Sequence, residues 1–422
     1  MDQIPAQRQQ IAIVGSGIAG LTTAYMLHGD HDITLFEAND YIGGHTHTVE
    51  VEAAGGRYAV DTGFIVFNQV NYPNFTEILR RLGVASQPTD MSFGVTCATT
   101  GLEYSSRSFN ALFAQRGNLL RPSFHRMLRD IRRFFREAVQ VLDGNDADAT
   151  LGQYLQRQGY SDEFIHQHIL PMGAALWSAP PAQMYDFPVQ FFVRFFDNHR
   201  FLQVQGRTPW RVIKGGSRQY VKQLVRPFHD RIRLNTPVQA VQRQPQQALL
   251  HLGDGRTERF DAVVLALHSD QALRLLQDPS PQEQQILGAM NYRPNQVVLH
   301  TDDRLLPRRR RAWAAWNYNL RREQSDQAVL TYNMNMLQGL EAPQTFCVTL
   351  NAADMIDPNK VIQTMNYHHP QYTLAAVAAQ QRHAEISGVR RTHYCGAYWG
   401  YGFHEDGVNS GLAVARAFGR GL

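Results

Sequence analysis

The sequence predicts an α/β chain, with a Rossmann-like domain built on a parallel sheet and a second domain of α+β type. Three features lead there. The wholly apolar run Ile11-Ala12-Ile13-Val14 enters Gly15-Ser16-Gly17-Ile18-Ala19-Gly20, after which Leu21, Ala24, Tyr25 and Leu27 repeat at helical spacing. A second strand-like run, Ile33-Thr34-Leu35-Phe36, ends on an acid, Glu37. Strand-like runs at residues 231–234, 238–241 and 260–267, and a glycine-opened helix from Gly407 through Ala417, supply the chain that completes such a sheet.

Each element has a physical reason. Gly15 permits the tight turn out of the strand, Gly17 lets backbone approach a pyrophosphate, and Gly20 lets the helix pack on the strand. The N–H groups that open the helix around Ile18 and Ala19, with the positive end of its dipole, suit phosphate. Glu37 follows about 20 residues on, where an acid binds ribose hydroxyls. Ala38-Asn39-Asp40 comes next without an arginine, which argues against a 2′-phosphate and so against NADP. A second glycine loop, Tyr41-Ile42-Gly43-Gly44-His45-Thr46, comes directly after, and a further strand reaches Asp61-Thr62-Gly63-Phe64.

A chain of 422 residues implies two domains. The first is expected to be discontinuous, over residues 1–75, 205–275 and 385–422, and the second to occupy 76–204 and 276–384. Residues 126–142 form an amphipathic helix, with Met127, Leu128, Ile131, Phe134, Phe135, Ala138 and Leu142 on its apolar side. Arg126, Arg129, Arg132, Arg133 and Arg136 line its other side; it reads as a domain helix with a solvated basic face, with an anionic membrane surface as the alternative. The four arginines at 308–311 read as a solvated loop.

Apolar residues make up 43% of the chain and charged residues 18%, which fits a globular protein with ample core. A net charge of +4 is too small to imply nucleic acid, and no nucleic-acid partner is expected. Cys97, Cys347 and Cys395 are few, odd in number and far apart, as in a reducing compartment. No apolar run reaches the length of a signal-peptide core or of a membrane span. A cytoplasmic protein is therefore expected, with peripheral contact at the inner membrane face left open. The pairs His45/His47, His166/His168 and His368/His369 lack zinc-site spacing, and no metal is expected.

These segments resemble the flavin-containing amine oxidase and phytoene desaturase superfamily along nearly the whole chain. Its members place a glycine pair, usually followed by arginine and then threonine, after the ribose-binding acid; here Gly43, Gly44, His45 and Thr46 stand there, with histidine in the arginine's place. Trp210-Arg211-Val212-Ile213-Lys214-Gly215-Gly216, Val238-Gln239-Ala240-Val241, Tyr394-Cys395-Gly396-Ala397-Tyr398 and Gly407-Val408-Asn409-Ser410-Gly411 continue the pattern. Ala397 occupies a position that often holds an acid. The resemblance implies FAD as cofactor and a two-dinucleotide-binding-domain flavoprotein fold with an α+β substrate domain. It implies FAD contacts at Gly15, Gly17, Ile18, Ala19, Gly20, Glu37, Ala38, Gly43, Gly44, His45, Thr46, Thr62, Gly63 and Phe64. Later contacts are implied at Val238, Gly396, Gly407, Val408 and Asn409, where a closing helix would direct its N-terminus at the flavin.

The likeness extends to a bacterial branch described as NAD/FAD-binding or amine-oxidase-like, through residues 297–302, 313–317, 331–337 and Gly402-Phe403-His404-Glu405-Asp406-Gly407. That branch is often encoded beside cyclopropane fatty-acid synthase-like methyltransferases. The resemblance thus implies a methyltransferase of that kind as functional partner and an acyl lipid as substrate.

Hydride transfer to flavin N5 asks little acid–base help of the protein. The chain's lysines are Lys214, Lys222 and Lys360, and the run Asn295-Gln296-Val297-Val298-Leu299-His300, which is similar to the strand where many amine oxidases carry a lysine, has none. Oxidation or desaturation of an apolar acyl lipid is therefore favoured over amine oxidation. A non-redox isomerase, or a structural FAD-binding component of a lipid-modifying complex, forms a third class. Catalytic residues stay open, with His300 and His404 as candidate proton carriers and Tyr398 and Trp399 as candidates to face the flavin. Trp313, Trp316, Tyr318 and Tyr332 are candidates for a substrate-cavity wall.

Overall fold

The computed structural model describes residues 8–144, 148–203, 206, 208–321 and 327–422; the expected domain boundary at 204 and 205 lies outside them. The elements that frame the site begin with β1 (Gln10–Val14), α1 (Ile18–Leu27), β2 (Asp32–Phe36), α2 (Pro73–Leu82), α3 (Pro122–Glu137) and β3 (Ile232–Arg233). They continue with β4 (Ala262–Leu265), β5 (Tyr292–His300), β6 (Val361–Pro370), β7 (Thr392–Tyr394) and α4 (His404–Ala417).

Five strands form a parallel sheet in the order β3-β2-β1-β4-β7. Ile11, Ala12 and Ile13 are fully buried, because the central strand is covered on both faces and needs no polar alternation. Val14 lies in register with Phe36 on one side and Leu265 on the other, so Gly15, Glu37 and Ala266 leave the sheet at one edge. There the Gly15 N–H donates to Phe36 O at 2.8 Å and the Ala266 N–H to Val14 O at 2.8 Å. This is the carboxyl edge of the sheet, where open α/β folds bind ligands.

Glycines set how closely the helices approach. A Cβ on Gly20 would fall 2.1 Å from Gly15 O, and one on Gly411 would fall 2.5 Å from Ala19 O. The first contact seats α1 on its own strand; the second seats α4 on α1.

The second main sheet has seven strands: β6, β5, Cys347–Leu350, Leu330–Asn333, Trp316–Leu320, Phe93–Cys97 and Glu103–Ser105, in that order. All neighbours are antiparallel except Trp316–Leu320 with Phe93–Cys97. Helices pack beside it around an aromatic-rich core that includes Phe124, Phe134, Phe164, Trp177 and Phe192.

The structure corrects three sequence expectations. The single strand expected over 260–267 is two: Thr257–Phe260 joins a small antiparallel sheet with Ala248–Leu252 and Val238–Arg243, while β4 joins the parallel sheet. Asp261 turns the chain between them, its carboxylate accepting the Gln10 N–H at 2.8 Å while its own N–H donates to Gln10 O at 2.8 Å. The helix expected over 126–142 starts earlier, at Pro122, because proline suits the first helical position; it is α-helical to Glu137 and 3₁₀ from Ala138 to Leu142. Phe124, Met127 and Phe134 are buried in the core, and Leu128, Ile131 and Phe135 pack partly buried against it, so the apolar side of this helix faces the domain. The closing helix begins at His404, one turn before the expected Gly407. The Asp406 carboxylate caps it, accepting the Phe403 N–H at 2.9 Å.

Candidate active and cofactor site

A cavity of about 450 Å³ lies where the carboxyl edge of the parallel sheet meets the seven-stranded sheet. One side is built from the β1–α1 turn, Glu37, Asn39, the Gly43-Gly44-His45 loop, Thr62-Gly63-Phe64, Ala266-Leu267-His268, Gly396-Ala397-Tyr398 and Gly402-Phe403-His404. The other side comes from Tyr292 and Val297 of β5, from Asn366 to Pro370 of β6, and from Trp316, Tyr332 and Leu350.

Glu37 organises the first wall. Its Oε2 accepts from Ser16 N at 3.0 Å and Ser16 Oγ at 2.6 Å, and its Oε1 accepts from Asn39 N and Nδ2, both at 2.9 Å. Ser16 Oγ in turn accepts the Gly43 N–H at 3.2 Å, which ties the two glycine loops together. Gly44 sits at φ +59, and a Cβ there would come 3.1 Å from the Gly17 Cα. A Cβ on Gly17 itself would meet no protein atom within 4 Å: it would project into open space above the start of α1.

The sequence-predicted residues divide cleanly. Gly15, Gly17, Ile18, Ala19, Glu37, Gly43, Gly44, His45, Thr62, Gly63, Phe64, Gly396, Tyr398 and His404 line the cavity. Gly20 is a packing contact, Ala38 points to solvent, and the Thr46 hydroxyl is turned away to Tyr220 Oη at 2.6 Å. Val238 pairs with Leu252 in the small sheet and does not reach the cavity. Because α4 starts at His404, Gly407 packs against Ile18, Val408 is in the core and Asn409 is exposed, its Oδ1 accepting from Asn74 Nδ2 at 2.7 Å.

Two catalytic candidates are displaced. His300 is fully buried in the second sheet, with Nε2 on Thr349 Oγ1 at 2.7 Å and Nδ1 accepting the Asp302 N–H at 3.0 Å, and it does not line the cavity. Trp399 packs edge-on to His383 at 4.4 Å, behind Tyr398. His404 remains: it stacks on Phe64 at 3.6 Å and is hydrogen-bonded through Nε2 to Tyr220 Oη at 2.8 Å. Burial, and then the nearby His45, hold its pKa well below the ordinary imidazole value, so the ring is neutral at pH 7. Of the aromatic candidates, Trp316 and Tyr332 line the cavity; Trp313 and Tyr318 do not.

Sequence reasoning missed a group of histidines. His45, His268, His368 and His369 gather in the wall, with ring centroids 5.5 Å apart for His45–His369 and 6.1 Å for both His45–His268 and His268–His368. His268 stacks on Tyr292 at 4.1 Å. They come from a glycine loop, the turn after β4 and the end of β6, so no sequence spacing announces them. Among the described residues, no lysine or arginine lines the cavity.

A model of the flavin-containing amine oxidoreductases matches residues 18–325. The chain belongs to that family. Tryptophan 2-monooxygenase of Allorhizobium ampelinum is 32% identical over 108 residues, a stretch covering 25% of this chain and 14% of that protein. Cyclohexylamine oxidase from Brevibacterium oxydans IH-35A shares the fold at TM-score 0.66 and 16% identity, over 97% of this chain and 98% of that one. A fatty acid isomerase from P. acnes does so at TM-score 0.69 and 17% identity, over 98% and 99%.

FAD is the cofactor of the family, and the residues present suit it. The space above Gly17 and the N–H groups opening α1 are a place for a diphosphate. The Glu37 carboxylate, held rigid by Ser16 and Asn39, presents a charge for ribose hydroxyls. Trp316 Nε1, a buried polar atom without a protein partner among the described residues, sits on a cavity-lining residue. Bound there, FAD supplies a two-electron acceptor.

Burial keeps three of these wall histidines uncharged. Burial, reinforced by His368, lowers His45 to about 4, and burial with the neighbouring imidazoles lowers His268 and His369 to about 3; Arg274 adds to the effect on His268. These rings are neutral in the free protein at pH 7. A diphosphate brought near them favours their protonated forms, which raises those pKa values, so binding takes up protons. FAD affinity is therefore expected to fall as pH rises above about 4, the free-protein value of His45, read by fluorescence titration of apoprotein. A flat profile would assign the whole charge balance to the N-terminus of α1.

Proposed function

We propose that the protein oxidises or desaturates an apolar acyl-lipid substrate in this cavity, in the company of a methyltransferase that places cyclopropane or methyl groups on acyl chains. The observation that carries the reading is the wall opposite the glycine loops. Met91, Leu176, Trp177, Phe195, Val297, Trp316, Tyr332 and Leu350 line it, and among the described residues Glu37 is the one carboxylate on the lining. Glu37 stands on the glycine-loop side, bound to Ser16 and Asn39, so an ammonium entering the aromatic part would be desolvated without a counter-charge beside it. A hydrocarbon chain gains about 0.8 kcal/mol per buried methylene in such surroundings. Trp316 Nε1, buried and without a protein partner, offers one N–H for an acyl carbonyl.

β5 turns Val297 toward the cavity, and the strand carries no lysine. The chain's own part in the reaction is thus to bind, orient and exclude water, with the neutral His404–Tyr220–Thr46 chain available to hold a proton in the wall.

Anaerobic mixing tests the reading. Saturated, methyl-branched or cyclopropane acyl lipids in vesicles are expected to bleach the oxidised flavin absorbance, and short primary amines are not. Bleaching by amines and none by lipids would reassign the site to amine oxidation. No bleaching, with a shifted double bond in unsaturated acyl lipid supplied in parallel, would favour non-redox isomerisation, a reading to which the fold shared with a fatty acid isomerase lends support.

A further inference from the structure

A surface outside the cavity lining carries features that neither cofactor nor substrate explains. Three large apolar side chains stand in solvent on a short stretch of chain: Phe109 is 74% exposed, Leu119 45% and Leu120 89%. They belong to one locality. The Phe109 ring lies 4.8 Å from Phe113, Phe113 lies 6.4 Å from the His125 ring, and His125 Nε2 is hydrogen-bonded to Leu119 O at 2.8 Å. The Arg116 guanidinium joins the two turns, donating to Phe113 O at 3.0 Å and to Asn110 Oδ1.

The arginine run 308–311 is fastened beside them. Glu103, which is buried, accepts the N–H groups of Arg308 at 3.0 Å and Arg309 at 3.3 Å and pairs with the Arg309 guanidinium at 3.0 Å. The Arg310–Ala312 turn packs on the short helix Phe109–Leu112. Arg308, Arg310 and Arg311 are exposed, and among the described residues they have no acidic partner. The nearby Asp90 is already paired with Arg107 at 3.0 Å. The buried carboxylate thus spends itself on holding the loop, and the loop presents unpaired positive charge next to exposed apolar tips.

We propose that Phe109, Leu119, Leu120 and the arginines 308, 310 and 311 dock the protein on a membrane surface rich in anionic lipid. The apolar tips enter the acyl boundary and the guanidinium groups meet lipid phosphates, a division of labour that suits an interface apolar inside and anionic outside. The charge is of one sign and the apolar groups project from turns instead of lining a groove, which fits a lipid surface better than a folded partner. This surface stands independently of what is oxidised in the cavity.

Flotation of the holoprotein with vesicles tests it. The protein is expected to float with phosphatidylglycerol–phosphatidylcholine vesicles and scarcely with phosphatidylcholine alone, and added salt is expected to release it. Arg308→Gln with Arg311→Gln should lower partition about thirtyfold, and Phe109→Ser with Leu120→Ser should abolish flotation. None of these residues lines the cavity, so FAD content and thermal midpoint stay at wild-type values in both variants. Failure of the wild type to float, or equal flotation of the variants, overturns the proposal. So does a concentration-dependent oligomer in sedimentation velocity that the same substitutions dissolve without any vesicle binding, since the patch would then join two copies of the chain.

Discussion

Replacing Gly17 with valine is expected to give a folded, colourless apoprotein. A Cβ at this position meets no protein atom within 4 Å, and the residue's φ of −66 and ψ of 172 are open to any side chain. The fold therefore has no reason to reject valine. The loss falls on the ligand, because the side chain would occupy the space above α1 where a diphosphate approaches the backbone. The neighbouring fingerprint glycines behave differently. Valine at Gly15 would strike Ala266 O at 2.4 Å and would sit at φ +104, and valine at Gly20 would strike Gly15 O at 2.1 Å, so those variants are expected to misfold. The comparison is read from released FAD per protein and from the circular dichroism of all three variants. Full FAD occupancy in Gly17→Val would show that the diphosphate lies elsewhere.

The largest stability loss is expected from Glu283→Ala. Glu283 joins three parts of the fold. It sits at the third position of the helix Pro281–Gly288, and its Oε2 accepts the Ser280 N–H at 2.8 Å in a capping box. The same carboxylate pairs with Arg243 of the small antiparallel sheet, Nη2 to Oε2 at 2.9 Å, and accepts Tyr394 Oη of β7 at 2.5 Å. The Arg243 and Glu283 side chains are 1% and 3% exposed. Removing the acid leaves a buried guanidinium with Asp278 as its remaining counter-charge, at a cost of about 3–5 kcal/mol. Glu283→Leu with Arg243→Met should cost much less, because no unpaired charge remains.

The same cluster sets an acid limit. Burial pushes the Glu283 carboxyl up, but Arg243 and Tyr394 outweigh it and hold the group at about 2. A carboxyl depressed below its unfolded value, about 4.3, stabilises the fold above that value and ceases to do so as pH falls toward 2. Thermal midpoints of the wild type should therefore drop over that window more steeply than those of the double apolar variant. Parallel profiles would show that other carboxylates govern acid unfolding.

What the sequence determined by itself was the glycine-loop wall of the cavity. Gly15, Gly17 and Glu37 could be read from their order because the backbone constraints they meet are local: a left-handed turn, an open approach and the end of a neighbouring strand about 20 residues on. Gly43, Gly44 and Thr62-Gly63-Phe64 followed on the same footing, and all of these line the cavity. The absence of a lysine on β5 was likewise visible in advance, since it asks only which residue types a strand contains. Tertiary structure alone decided the rest. His300 and Val297 share one strand, yet only Val297 faces the cavity, because pairing with Cys347–Leu350 and β6 settles which side each presents. The start of α4 at His404, which moved Gly407, Val408 and Asn409 off the cavity, depends on the Asp406 cap at the Phe403 N–H. His45, His268, His368 and His369 meet because two sheets face each other across the cavity, and burial there, far more than residue type, makes His45, His268 and His369 neutral. Desolvation acts through every atom packed around a group, so it is written in no local stretch of the chain.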